Sequence, residues 1–165
     1  MLAREEMQRF LIQAKEEDCY ELFLLELATG LRRGELMALQ WRDLNPDTGE
    51  LRVSRQINRV RGKLTVSEPK TRTALRTIVL PSSVVGVLRE YKAQVYSRWL
   101  FPSPVNEDVP RDPSSVRKLL QRVLKHAECK QVRFHDLRHP HVKHTTKNYF
   151  PPDGSSSGVQ SRCSA

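Results

Sequence analysis

Cysteine is scarce: the 165 residues hold three, Cys19, Cys129 and Cys163, odd in number and with no CxxC spacing. Neither a disulfide framework nor a zinc finger is built that way, so reduced thiols are expected. Long hydrophobic runs are missing too, with no stretch of the roughly 18 apolar residues that a membrane span requires. The opening Met1-Leu2-Ala3-Arg4-Glu5-Glu6 lacks the basic-then-apolar order of a secretion signal. A cytoplasmic protein with no membrane partner is the expectation. Glycine is low at 7 residues and no internal repeat is present, and with 38% hydrophobic residues this composition excludes collagen-like, coiled-coil and wholly disordered chains. The 38% of hydrophobic residues suffices for the core of one domain.

Acid is what the second part of the chain lacks. Residues 1–50 carry 6 Lys+Arg against 11 Asp+Glu, whereas residues 51–165 carry 22 against 8, so a net −5 is followed by a net +14. That asymmetry points to a face that meets a polyanion, with nucleic acid the leading class.

Hydrophobic spacing predicts the elements. Met7, Phe10, Leu11 and Ala14 recur at i, i+3, i+4 and i+7, an amphipathic helix over 4–17. Residues 20–30 are apolar enough for a buried helix stopped by Gly30, and a short helix over 33–39 follows. The period then falls to 2. After the turn cluster 45–49, Leu51, Val53 and Ile57 alternate with polar residues as in a half-buried strand, Gly62 marks a hairpin turn, a strand begins at Leu64, and 76–80 is rich in β-branched residues. Helical patterning resumes over 82–96 behind a serine cap, and again after Asp112-Pro113, an N-cap followed by proline at the first helical position. The expected fold is α+β, mainly helical, with a small antiparallel sheet of two or three strands.

Several cations stand where packing does not need them. Arg32 and Arg33 follow Gly30 at a helix start, where backbone N–H groups favour an anion. Lys70 falls in a polar turn between strands, and Arg138 is flanked by His135 and His139. Singly, each reads as a surface charge or a packed imidazole. Together they could surround one phosphate, the arginines forking onto its oxygens.

The same residues carry a resemblance. Thr29-Gly30-Leu31-Arg32 with Arg33-Gly34-Glu35-Leu36, then Leu39, Trp41 and Asp43, resembles the first motif of the tyrosine recombinase (phage integrase) family. Pro69-Lys70-Thr71 followed by Arg76-Thr77-Ile78 is similar to the family's β-hairpin lysine segment, and His135-Asp136-Leu137-Arg138-His139 to its H-x-L-R-H motif. The segments occur in the family's order, and integrases of conjugative transposons are the nearest resemblance. It implies a catalytic domain that breaks and rejoins DNA strands through a phosphotyrosine intermediate, without metal or other cofactor. In that chemistry Arg32 and Arg138 would clamp the reacting phosphate and stabilise the charge of the transition state. Lys70 would protonate the leaving 5′-hydroxyl, His135 would assist proton transfer at the attacking phenol, and His139 would hydrogen-bond the phosphate. Glu35 would orient the helix. Lys70, Arg72 and Arg76 would contact double-stranded DNA, and other recombinase protomers are a further candidate partner, although a monomer in solution is expected.

The family's nucleophile, a tyrosine behind an L-G-H motif, has no counterpart. Tyr149 is the sole tyrosine after Arg138, no L-G-H precedes it, and Pro140 interrupts the helix that the family continues. The expectation is therefore a catalytic domain over 1–139, without the amino-terminal DNA-binding domains and without a nucleophile. Residues 140–165, with Pro151-Pro152 and a serine run, would be a disordered tail such as a frameshift or truncation leaves. Two rival readings remain: a non-enzymatic DNA-binding fragment or regulator, and a metal-binding module built on His135, His139, His141 and His144.

Overall fold

The computed structural model describes residues 2–68 and 75–137. Its elements follow the spacing of the apolar residues. Helix α1 (Arg4–Glu16) buries Phe10 and Ala14, with Met7 and Leu11 packed at the core's edge. Helix α2 (Tyr20–Thr29) buries Leu22, Phe23, Leu24, Leu25 and Leu27, and the Phe10 and Phe23 rings meet edge to face at 5.0 Å. Gly30 ends α2 at φ 61°, a left-handed conformation that glycine adopts without a Cβ penalty. A short helix α3 (Arg33–Met37) follows, then a 3₁₀ turn at Trp41–Asp43.

The expected antiparallel sheet is present as two separate pairs. The stretch expected to run unbroken from Leu51 to Ile57 divides at Ser54-Arg55 into β1 (Glu50–Val53) and β2 (Gln56–Val60). Strand β2 pairs with β3 (Lys63–Ser67), and β1 pairs with β4 (Arg76–Val79), Leu51 facing Ile78. The two strands have different partners: Leu51 and Val53 enter the core beside β4, and Ile57 enters the same core against α3, after which β2 continues with exposed residues into the hairpin. Arg61 and Gly62 close that hairpin with φ 48° and 79°, the two-residue turn whose twist matches paired strands.

Helix α4 (Ser82–Lys92) ends four residues short of the expected limit, and its cap is Pro81, with no side-chain hydrogen bond from either serine. The early stop has a structural cause. The chain must double back so that Leu100 N–H reaches the Leu39 carbonyl at 2.9 Å and Trp41 N–H the Arg98 carbonyl at 3.0 Å. This return buries Trp99, Leu100 and Phe101, residues that no periodic pattern marks. Helix α5 (Pro113–His126) begins as expected, Asp112 accepting from Ser114 N–H at 2.7 Å, and buries Val116, Leu119, Leu120 and Val123. A 3₁₀ turn at Phe134–Leu137 closes the described part. Among the described residues no helix is long and apolar enough to cross a membrane.

Candidate functional site

The first motif segment is aimed by its neighbours. Gly30 reverses the chain, Leu31 is fully buried behind it, and Arg32 is left as the residue before α3, its side chain 69% exposed. The Arg32 N–H donates to Glu35 Oε2 at 2.9 Å, and its guanidinium lies 3.5 Å from Oε1. From β4, Arg76 donates through Nη1 to Glu35 Oε1 at 3.1 Å and through Nη2 to Oε2 at 2.9 Å. The Glu35 side chain is only 3% exposed. Burial alone would raise its pKa, but the two Arg76 hydrogen bonds and the Arg32 N–H outweigh it and hold the carboxyl below its ordinary value.

Glu35 is thus anionic and occupied, and it fills part of the helix start that the sequence offered to an external anion. Its role is to fix two arginines against each other. Arg76, expected at a DNA contact, has its fork turned onto Glu35. The placement of α3 is tight on the other side as well. A Cβ at Gly34 would lie 2.6 Å from the Ile57 carbonyl oxygen of β2, so only glycine lets helix and strand approach this closely.

The third motif segment is pinned by its apolar members. Phe134 and Leu137 are buried, which leaves His135 exposed between them. Asp136 accepts from Arg133 Nε at 3.1 Å and from its backbone N–H at 3.2 Å, and these bonds, the side-chain one first, hold its carboxyl low. His135 shares an open cleft of about 460 Å³ with Arg33, the residue next to Arg32. Of the expected site residues, then, Arg32 and Arg76 meet on one carboxylate and His135 stands across a cleft that α3 also lines. Lys70, Arg72, Arg138, His139 and Tyr149 lie outside the described residues.

The metal reading finds no support in what is described. Among the described residues no three His, Cys, Asp or Glu side chains are grouped to hold an ion. His139, His141 and His144, on which that reading depends, lie outside them. Cys19 and Cys129 are both buried as free thiols, and burial pushes Cys19 up to about 12, so neither acts as a nucleophile at neutral pH. What sequence reasoning missed is the Glu35–Arg76 pair and, in the cleft, Arg117 and Arg133. Positions 35 and 76 carry no local sign of each other, since the pairing depends on how β4 lies beside α3.

Solved structures share this fold. The Tn1549 transposon integrase, in complex with transposon right end DNA, superposes with a TM-score of 0.74 at 22% identity, covering 89% of this chain and 52% of that one. XerA recombinase gives 0.68 at 22% identity, covering 89% and 49%. The fold is that of a tyrosine recombinase catalytic domain. Residues 1–154 match the phage integrase family, and the chain belongs to that family. It is 29% identical over 162 residues to the "tyrosine recombinase XerC-like" protein of Caldanaerobacter subterraneus subsp. tengcongensis, covering 84% of this chain and 41% of that protein. With the ICEBs1 integrase of Bacillus subtilis it shares 23% over 152 residues, covering 84% and 40%. The chain therefore spans about two fifths of the length of these relatives.

Proposed function

We propose that this chain is the phosphate-binding part of a site-specific DNA recombinase, acting on double-stranded DNA through Arg32, Lys70, His135, Arg138 and His139. The observation that carries the reading is convergence. Segments of three separate motifs, contributing Glu35 and Arg33, Arg76, and His135, come together from α3, β4 and the Phe134–Leu137 turn. A fixed arginine whose outer face is open to solvent is what charge stabilisation at a phosphate requires, because it needs no rearrangement as charge develops. Arg32 meets that description, with Glu35 as the group that orients it and Arg76 as a positioning residue. Lys70, between β3 and β4, is assigned as general acid, and Arg138 as the second clamp. Arg72 is assigned to the DNA backbone.

The domain is taken to run to His139, with 140–165 as a tail, and the nucleophile to be missing. The family match continues to residue 154 and so spans Tyr149, which makes that residue the one to test. Incubation with a nicked suicide duplex is expected to yield no covalent protein–DNA product, and a phosphotyrosyl adduct at Tyr149 overturns the missing nucleophile. Binding is expected to be weak and to fall steeply with salt. Lys70→Ala and Arg138→Ala should each lower affinity and flatten the salt dependence, by at most about 0.9 in the slope of log K against log salt for one lost phosphate contact. Unchanged affinity and slope in both variants overturn the assigned surface.

A further inference from the structure

We infer that the cleft between α3, α5 and the Phe134–Leu137 turn is a second phosphate site, which holds a DNA backbone phosphate other than the reacting one, through Arg33 and Arg117. The inference rests on the DNA reading above. Arg32 precedes α3 in an extended conformation (φ −66°, ψ 142°), whereas Arg33 is the helix's first residue, so the two side chains have different surroundings. Arg32 goes to Glu35, whereas Arg33 lines the cleft, and one phosphate does not serve both.

Opposite Arg33 stands Arg117 of α5, with Gln121 one turn further along the same face. Among the described residues neither Arg33 nor Arg117 has a hydrogen bond or an acidic partner. No acidic side chain among the described residues lines the cleft, and Asp136, next to His135 in the chain, is taken by Arg133, itself a lining residue. Two unpaired guanidinium groups across a concave surface repel each other, and an anion between them relieves that repulsion and accepts hydrogen bonds from both. Gln121 supplies a neutral donor for a remaining oxygen. The floor is apolar and includes Leu120 and Phe134, and at about 460 Å³ the space exceeds what a bare phosphate fills. A phosphate with its attached sugar suits it: the oxygens face the arginines and the sugar's carbon face lies on the floor. His135 on the rim joins this cleft to the reacting site, so the phosphate held here belongs to the same strand or to its complement nearby.

The test measures duplex binding by fluorescence anisotropy across a salt series, for the wild-type chain and three variants. In Arg33→Ala/Arg117→Ala the slope of log K against log salt is expected to fall by about 0.9, the share of one phosphate, and affinity to drop about tenfold. Arg117→Gln, at an exposed position of α5, should show part of the same loss, and it carries the test alone if the double variant does not fold. Arg89→Ala removes the same charge from α4, where Arg89 bonds the Pro46 carbonyl and Asp47, and should leave the slope unchanged. No salt-dependent binding by the wild type overturns the DNA reading itself. Wild-type binding with an unaltered slope in the Arg33/Arg117 variants overturns the cleft alone, as does an equal loss in Arg89→Ala, which would reduce the effect to net charge.

Discussion

Glu35 shows how one buried carboxylate can govern a cationic site without touching the ligand. Its two oxygens accept two short hydrogen bonds from Arg76 and only a long one from the Arg32 guanidinium, so the residue whose guanidinium is offered outward is decided by geometry rather than by charge. Removing it should be costly in two ways. Glu35→Ala leaves Arg76 facing a buried void, and a loss of about 2 kcal/mol in urea unfolding is expected, less than a fully buried pair would show because solvent screens the arginine. Glu35→Gln keeps the shape and some of the bonds, and should lose less. The pH dependence has a definite sign. The folded carboxyl is held below its unfolded value of 4.5, so its stabilisation is present above that pH and fades as the pH falls through the folded value. The wild-type advantage over Glu35→Gln should therefore shrink below pH 4.5, as compared from unfolding midpoints.

Among elements, α3 is short, and its direction comes from its contacts. Gly34 against the Ile57 carbonyl sets how close it lies to β2. Gly34→Ala must push helix and strand apart, at a cost of about 2 kcal/mol, and should weaken DNA binding by moving Arg32 and Arg33 together. Melting temperature and duplex affinity measured on one variant check both effects.

The elements also show where reading from sequence succeeds. Local signals were enough for α1, for the stop at Gly30, for the Arg61-Gly62 turn and for the Asp112-Pro113 start, because each is decided within a few residues. They failed where distant partners decide. The break at Ser54-Arg55 has one local mark, an arginine where alternation calls for an apolar residue, but only the different partners of β1 and β2 show that two strands result. The serines at the start of α4 read as a cap, yet Pro81 occupies that position. Burial of Trp99-Leu100-Phe101 comes from pairing with residues 39–41, some sixty positions earlier. In the site, the identity of Arg32 and His135 was legible from motif spacing, while the Glu35–Arg76 pair and the cleft's Arg117 were not, since each depends on an approach between elements far apart in the chain.

At the scale of the whole molecule, α1 is tied near both of its ends to the C-terminal part of α5 and the residues just after it. Glu17 accepts from Arg122 Nε at 2.6 Å and Gln13 Nε2 at 3.1 Å, and lies 2.8 Å from His126 Nδ1. Near the other end Arg9 Nε bonds the Ala127 carbonyl at 3.2 Å, and Lys130 N–H bonds Glu6 Oε1 at 3.1 Å. Burial works against the Glu17 charge, but its bonds to Arg122, His126 and Gln13 prevail and hold the carboxyl below its ordinary value. Glu6, Glu35, Asp112 and Asp136 are held low too, so acid should loosen the fold as their protons return. The melting temperature is expected to fall between pH 6 and pH 3.5, and Glu17→Gln should start lower at pH 6 and fall less steeply.

The same clasp orders events in time. The residues that close it lie 105 to 124 positions apart, so α1, which meets α2 as soon as both are made, is synthesised long before its contact with α5 can form. On a ribosome delivering about 5–20 residues per second, the α1–α2 pair waits for several seconds or more with the face that α5 later covers still open. The ends of α1 are acidic, Glu5-Glu6 and Glu16-Glu17, which favours solvation during that delay, and two of those same carboxylates, Glu6 and Glu17, later engage Lys130 just past α5 and Arg122 within it. The negative charge of the first fifty residues, set against the basic remainder, therefore serves the newborn chain as well as the finished one.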